Sequence, residues 1–193
     1  AMLLASGWDG RAPLVDPFCG SGTIPIEAAL LACRIPPGLA NPSHSPRPYA
    51  FESWPDHDVV GWDDVVARAR EAILPSTGVA IEGADRDRGA IAAAQANAAR
   101  AGVEGDVAFH ARALSALAPP PGTGWLVTNP PYGVRVGEKR PLRDLYAALG
   151  NVARDRLAGP GHRAHPARPQ LRLGDAALRL LGPRLGVQPA HLR

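Results

Sequence analysis

The sequence has few cysteines, few aromatic residues and no long apolar run, and each shortage excludes a class of protein. Two cysteines, Cys19 and Cys33, cannot build a disulfide framework or a cysteine-rich zinc site. No stretch approaches the roughly 20 consecutive apolar residues of a membrane span. The N-terminus AMLLASGWDG lacks the basic, apolar and cleavage regions of a signal peptide. We therefore expect a cytoplasmic protein that binds neither a membrane nor a metal ion.

Lysine is almost absent, and the basic charge is concentrated at the C-terminus. The 193 residues are 46% hydrophobic and 20% charged, a balance typical of one globular domain. Lys139 is the one lysine among 21 basic residues. Residues 159–193 hold six arginines against the single acid Asp175, whereas acids slightly outnumber bases up to residue 158. The sequence therefore divides into a domain over 1–158 and an atypical basic tail rich in proline and arginine over 159–193.

The order of elements in the first part predicts an α/β fold. Four short apolar segments, each followed by a turn or helical pattern, read as strands: residues 12–16, 79–85, 106–111 and 124–129. Asp87 can cap a helix that closes at Gly102, and a later helix is entered through Pro141. A proline-rich insert, residues 35–58, interrupts the alternation. Strands that alternate with helices predict a mostly parallel sheet with helices on both faces.

A glycine turn after the first strand predicts a nucleoside-binding site. The turn DPFCGSGT places Gly20 and Gly22 where the backbone can adopt positive φ and approach a ligand closely. It matches neither the dinucleotide fingerprint nor the phosphate-binding loop. Asp16, directly before the turn, would repel phosphate but suits a cation, and Asp85 at the end of the second strand can accept ribose hydroxyl protons. S-adenosylmethionine has a ribose, a positive centre and no phosphate, so it fits this site.

The segment Asn129-Pro130-Pro131-Tyr132 after the fourth strand predicts the acceptor site. The prolines stiffen the loop, so that the Asn129 amide oxygen and the Pro130 carbonyl can hold the two protons of a planar exocyclic amine. Tyr132 offers a flat face for a base, which must be single-stranded or flipped out. Arg135, Lys139 and Arg140 follow, where phosphates of a bound RNA could lie, although a solvated loop explains them about as well.

These segments resemble a known family. DPFCGSGTIPIEAALLA, GADRDRGAIAAAQANAARAG and VTNPPYGVRVGEKRPLRDLYAALG are similar to class I, S-adenosylmethionine-dependent RNA guanine-N2-methyltransferases, and the insert resembles that of the branch acting on large-subunit ribosomal RNA. The resemblance implies a Rossmann-like class I methyltransferase sheet. It places the methionine part of the cofactor near Asn129 and near residues of the glycine turn. It places the ribose at Asp85 and the target guanine at Asn129 to Tyr132. The residues implied for the methionine side are Asp16, Phe18, Cys19, Gly20 and Gly22.

The chain departs from the family pattern at three places. Family members commonly carry an acid about four residues after the aromatic of the third strand, for the adenine amine, whereas Phe109 leads here to Ala113. Members also carry an RNA-binding THUMP domain upstream, which we expect in a longer parent protein. Members continue with a fifth strand and a closing hairpin, which residues 159–193 do not resemble, so we expect a sheet that is incomplete after its fourth strand.

Two questions stay open at this point. The tail fits either a reading-frame shift near Gly159, since GC-rich DNA read out of frame yields such a composition, or a genuine basic segment that contacts RNA. The leading function is methyl transfer to guanine N2 of RNA, most readily 23S ribosomal RNA. The same acceptor pair could hold a tRNA guanine or an amino group of DNA, and a truncated fragment could be inactive.

Overall fold

The computed structural model describes residues 2–39, 48–118, 124–130, 139–152, 170–173, 176–181 and 184–189. Side chains are described for these ranges except 139–143 and the segments from 170 onward. The helices are α1 (Met2–Ser6), α2 (Thr23–Ala32), α3 (Val59–Glu71), α4 (Arg88–Ala101) and α5 (Lys139–Val152). The strands are β1 (Leu14–Asp16), β2 (Ile81–Asp85), β3 (Ala108–Ala111), β4 (Trp125–Thr128), β5 (Gln170–Leu173), β6 (Ala176–Leu181) and β7 (Arg184–Pro189). Short 3₁₀ turns span Ala50–Ser53 and Leu114–Ala116.

All strands form one sheet in the order β3-β2-β1-β4-β5-β6-β7. Strands β3, β2, β1, β4 and β5 are mutually parallel, and β6 and β7 run antiparallel at the far edge. The first strand lies between β2 and β4, so the order reverses direction around β1. Ligands of open α/β sheets bind beyond the carboxyl ends of the strands at such a switch point. The predicted α/β fold with a mostly parallel sheet is confirmed.

Alternate residues of the central strands pack on opposite faces of the sheet, which gives two cores. Leu14 and Val127 belong to the larger cluster, where α1, α2 and α4 contribute Leu3, Ile26 and Ala98. Val15 and Leu126 belong to the other cluster with Leu149 of α5. Burying both faces is what a parallel sheet requires, since each of its faces is apolar.

The helix boundaries follow local signals in the sequence. The Asp87 side chain accepts a hydrogen bond from the Gly89 amide, and α4 ends at Gly102 with φ +73°. Asp58 caps α3 in the same way through the amide of Gly61. The last helix begins at Lys139, two residues before the predicted entry through Pro141. Prolines are tolerated in a first helical turn because amides there have no intrahelical acceptor.

The expectation that the sheet is incomplete after its fourth strand is wrong. Strand β5 pairs in parallel with β4, with Leu126 opposite Leu171 and Thr128 opposite Leu173. Strands β6 and β7 then pair antiparallel and close that edge. The segments QLRL and ALRLL alternate leucine with arginine, and such alternation is typical of a strand with one apolar side. Residues 153–169, which include the first part of the predicted basic tail (159–169), lie outside the described residues.

Part of the proline-rich insert forms a small aromatic cluster beside α3. The Tyr49 and Phe51 rings are stacked at 5.4 Å, and Trp62 packs edge-on against both rings. Residues 40–47 of the insert lie outside the described residues. Among the helices of the described residues, none is long and apolar enough to cross a membrane.

Candidate active site

The glycine turn and the Asn129 loop leave the sheet side by side. Strands β1 and β4 are adjacent and parallel, with Leu14 opposite Trp125 and Val15 opposite Leu126. The last residue of β1 is Asp16, and the last residue of β4 is Thr128. Two parallel neighbours end at the same edge, so the turn after Asp16 and the loop after Thr128 open on the same side of the sheet.

Asp16 is a buried carboxyl group that both loops share. Its side chain is 1% exposed, and its Oδ1 accepts a hydrogen bond of 2.5 Å from the Thr128 hydroxyl and one of 3.1 Å from the Phe18 amide. Burial raises the pKa of Asp16 to about 7; the two hydrogen bonds act against this rise, and the charge of Asp85 adds to it. Near neutral pH the group is therefore poised between acid and carboxylate, and a cation bound beside it would favour the carboxylate.

Gly20 and Gly22 are both in the left-handed region, but they serve different ends. Gly22, at φ +88°, is enclosed: an added Cβ would meet atoms of Ala94, Ile26 and Phe109 at 3.0–3.1 Å. Gly20, at φ +52°, has no atom within 4 Å of that position and faces open space. Gly22 thus lets α2 pack against α4, and Gly20 lets a ligand approach the backbone.

Asp85 links the end of β2 to the glycine turn. Its Oδ2 accepts a hydrogen bond of 3.1 Å from the Gly20 amide, and its Oδ1 accepts one of 3.0 Å from the Asp87 amide. The Cys19 amide donates to the Ala84 carbonyl at 3.0 Å, which ties the turn to β2 a second time. A carboxylate oxygen has two lone pairs, so Asp85 can also accept hydroxyl protons from a ligand.

Phe18 and Cys19 support the turn through packing. The Phe18 ring packs against the cluster around Val15 and Leu126 and stays partly exposed. The Cys19 thiol is buried, and an added Cβ on Gly83 would lie 3.1 Å from its sulfur. Burial, together with the charges of Asp16 and Asp85, raises the pKa of Cys19 to about 12. The thiol is therefore protonated at neutral pH and is not a nucleophile.

The acceptor loop is described only at its start. Asn129 is exposed and Pro130 is buried. Pro131, Tyr132 and Arg135 lie outside the described residues. Lys139 and Arg140 are the first two residues of α5. The roles assigned to these residues from the sequence therefore stay predictions.

Sequence reasoning missed two residues that hold the site together. Thr128 is fully buried and donates to Asp16 across two strands. Asn97 of α4 donates from its Nδ2 to the Ser21 carbonyl at 2.8 Å and so fixes the outer end of the glycine turn. Both residues lie in the segments that carry the family resemblance, but neither was singled out as a site residue. A polar residue at the end of a buried strand, as Thr128 is, was the one available signal.

A doubly covered parallel sheet with a glycine turn at its switch point and an acid at the end of the next strand is common to dinucleotide-binding and class I methyltransferase folds, and this turn lacks the dinucleotide fingerprint. The chain belongs to the family described as UPF0020, RMKL-like, methyltransferase domain, whose model matches residues 1–173. The match therefore extends through β5.

Curated relatives and solved structures agree with this assignment. The chain is 40% identical over 162 residues to "Ribosomal RNA large subunit methyltransferase K/L" of Shewanella baltica, an alignment that covers 82% of this chain and 22% of that protein. It is 35% identical to "Putative RNA methyltransferase slr0064" of Synechocystis, over 82% of this chain and 40% of the relative. The crystal structure of SMU.472, a putative methyltransferase complexed with SAH, superposes with a TM-score of 0.73 at 30% identity, covering 89% of this chain and 41% of that one. The chain thus spans less than half the length of each.

Proposed function

We propose that this domain transfers a methyl group from S-adenosylmethionine to the exocyclic N2 of a guanine in RNA, with 23S ribosomal RNA as the first candidate substrate. The observation that carries the proposal is the Asp16–Thr128 hydrogen bond, because it joins the glycine turn to the loop that begins at Asn129. The two partners of a methyl transfer must meet within bonding reach, and these loops open side by side. The name of the Shewanella relative, a ribosomal RNA large subunit methyltransferase, favours ribosomal RNA.

The residues of the glycine turn fit S-adenosylmethionine. The open space over Gly20 admits a ligand, and the buried carboxyl of Asp16 offers negative charge to the cationic methionine end. Asp85 keeps lone pairs for the ribose hydroxyls. The neighbour of known structure that contains SAH, the demethylated form of this cofactor, has the same fold. When bound, the cofactor supplies an electrophilic methyl group on a sulfonium, which is a good leaving group.

The contribution of the chain to catalysis is positioning. The Asn129 amide oxygen and the Pro130 carbonyl would accept the two protons of the guanine amine and so orient its nitrogen. Well-oriented groups lower a barrier by about 7–11 kcal/mol in favourable cases. As the N–methyl bond forms, the S–methyl bond breaks and SAH would leave as a neutral thioether. The fixed carbonyl dipoles stabilise the cationic nitrogen, which is acidic enough to release its extra proton to water, so no strong base is needed. Pro131 would stiffen the loop, and Tyr132 would stack on the base, worth roughly 1–3 kcal/mol.

Substrate RNA requires contacts beyond this pocket. Arg135, Lys139 and Arg140 would bind phosphates flanking the target base, and such contacts weaken as salt rises. An upstream THUMP-type domain in the parent protein would supply most of the RNA affinity. A cytoplasmic site of action belongs to the same proposal, because ribosomal RNA is the substrate.

The test combines cofactor binding with product analysis. Calorimetry of the 193-residue chain with S-adenosylmethionine should show one binding site, whereas an inactive fragment would bind none. Labelled methyl transfer should then favour ribosomal RNA fragments over tRNA and DNA oligonucleotides, with N2-methylguanosine found after nuclease digestion. Methylated adenine or cytosine as the product would contradict the acceptor assignment and leave the cofactor assignment intact.

A further inference from the structure

One oxygen atom of Asp16 accepts two hydrogen bonds from different parts of the chain. The Oδ1 of Asp16 accepts from the Phe18 amide, inside the glycine turn, and from the Thr128 hydroxyl, one residue before Asn129. Asp16 is 1% exposed and Thr128 is fully buried. Water therefore does not compete for the bond between these two side chains, and its 2.5 Å distance is typical of a hydroxyl bonded to a carboxylate.

This bond lies where the backbone pairing between the two strands gives way to loops. The register pairs Leu14 with Trp125 and Val15 with Leu126. Strand β1 ends one residue further on, at Asp16, and β4 ends two residues further on, at Thr128. The Asp16–Thr128 hydrogen bond thus connects the last residue of β1 to the last residue of β4, where the two loops begin. Its loss would let the Asn129 backbone shift relative to the glycine turn.

We propose that Thr128 is a positioning residue for methyl transfer: its hydroxyl fixes the spacing between the cofactor turn and the acceptor loop, and it keeps the Asp16 carboxyl oriented toward the cofactor. This inference rests on the proposed function. Thr128 itself touches neither substrate nor cofactor and acts through Asp16 and through the backbone of Asn129.

The charged surroundings of Asp16 give this role a signature in the pH dependence. Among the described residues, the charged group that acts on Asp16 is Asp85 of β2, and the neutral Cys19 thiol of the turn has its own pKa raised by both carboxylates. Burial raises the pKa of Asp16, whereas the Thr128 hydroxyl lowers it because it donates to the carboxylate. Removing the hydroxyl should therefore raise the pH at which Asp16 ionises. Since a cationic ligand prefers the carboxylate, the pH midpoint of cofactor binding should rise with it.

The experiment compares Thr128→Val, which removes the hydroxyl at nearly constant shape, with Thr128→Ser, which keeps it. Single-turnover methyl transfer should fall about 10- to 100-fold in Thr128→Val, because a displacement of about 1 Å can cost that much. The midpoint of S-adenosylmethionine binding, measured by calorimetry from pH 5.5 to about 8.5, should move upward by about half a pH unit or more. Thr128→Ser should stay within about three-fold of the wild type, with its midpoint unchanged.

Three results separate the possible failures. A wild type that binds the cofactor and a Thr128→Val variant with the same rate and midpoint would overturn the positioning role alone. A wild type that binds no S-adenosylmethionine and methylates nothing overturns the proposed function, and this inference with it. If Thr128→Val does not fold, Thr128→Ala is measured in its place. In either variant, a fall in rate without a shift of the midpoint contradicts the link through Asp16.

Discussion

The two halves of the candidate site are built to different degrees. On the cofactor side, the carboxyl groups of Asp16 and Asp85 accept hydrogen bonds of 3.0–3.1 Å from backbone amides of the turns, including that of Gly20. On the acceptor side, Asn129 is exposed, and the residue before it, Thr128, is held by its hydrogen bond to Asp16. The proposed cofactor side is therefore held in place by hydrogen bonds in the free domain. On the proposed acceptor side, the described residues offer one buried bond, between Thr128 and Asp16.

The largest expected effect comes from Asn129, on the acceptor side of the site. Asn129→Ala removes the proposed amide acceptor and should lower the methyl-transfer rate by about 10²–10³, the range seen when one preorganised dipole is deleted. Because Asn129 is also implied on the methionine side, we expect a loss of cofactor affinity of up to about ten-fold, smaller than the loss in rate. Single-turnover kinetics and calorimetry separate the two. Asn129→Asp keeps an oxygen acceptor and serves as the matched variant; equal rates for both variants and the wild type would refute the acceptor role.

Asp16→Asn should break the cofactor side while stabilising the fold. The pKa of Asp16 is raised from 3.8 to about 7, so the native state holds a proton that the unfolded state releases over that range. Stability from this group is present below pH 3.8 and is lost as the pH rises through about 7, a loss of as much as about 4 kcal/mol.

Asparagine carries no charge, so we expect Asp16→Asn to be more stable than the wild type at pH 8 and to lose that advantage at pH 4. Cofactor affinity should fall about ten- to a hundred-fold. Thermal unfolding at the two pH values and calorimetry at pH 8 measure these effects. A variant that binds as tightly as the wild type would show that Asp16 does not face the cationic end of the ligand.

The paired substitutions Gly22→Ala and Gly20→Ala sharpen the contrast between packing and access. Both place a side chain in the left-handed region, at about 1–2 kcal/mol. Gly22→Ala adds contacts of 3.0–3.1 Å with three neighbours, whereas Gly20→Ala points into open space. Chemical denaturation should show the larger fall in the free energy of unfolding for Gly22→Ala. Calorimetry should show that Gly20→Ala loses more affinity for S-adenosylmethionine relative to its loss of stability. The reverse order in both assays would contradict the division of roles.

The smallest effect should come from repairing a departure from the family pattern. Ala113 is exposed and precedes the 3₁₀ turn Leu114–Ala116, in the place where the family resemblance implies an acid for the adenine amine. Ala113→Asp should raise the affinity for S-adenosylmethionine by about three- to ten-fold, about the worth of one hydrogen bond. Ala113→Asn serves as the control for size. No gain in calorimetry would indicate that adenine is bound elsewhere.

Local patterns in the sequence predicted the elements and the motifs of the site. Apolar runs ending in Asp16 and Asp85, the Asp87 cap and the Gly102 stop each depend on neighbouring residues, so they can be recognised without the fold. The bonds that unite the site are of another kind. Thr128 and Asp16 are 112 residues apart, and Asn97 and Ser21 are 76 apart. Their contact depends on strand order and helix packing, which no single segment encodes.

The C-terminal strands show a different limit of pattern reading. A search for apolar runs overlooked β5–β7, because leucine and arginine alternate in β5 and β6, and β7 contains glycine and proline. Gly174-Asp175 separates β5 from β6 and is a hairpin signal in its own right. A reading-frame shift near Gly159 stays a hypothesis for the origin of this segment. Sequencing the locus tests it: an intact frame through Arg193, shared by homologues, would exclude the shift.

The arrangement of both ligands around Asp16 is most directly tested by a crystal structure of the chain with SAH. We predict that the ligand's amino group lies beside the Asp16 carboxyl, its ribose hydroxyls on Asp85, and its sulfur toward the Asn129 amide oxygen. A ligand bound at another edge of the sheet, or one whose sulfur faces away from the Asn129 loop, would contradict the account.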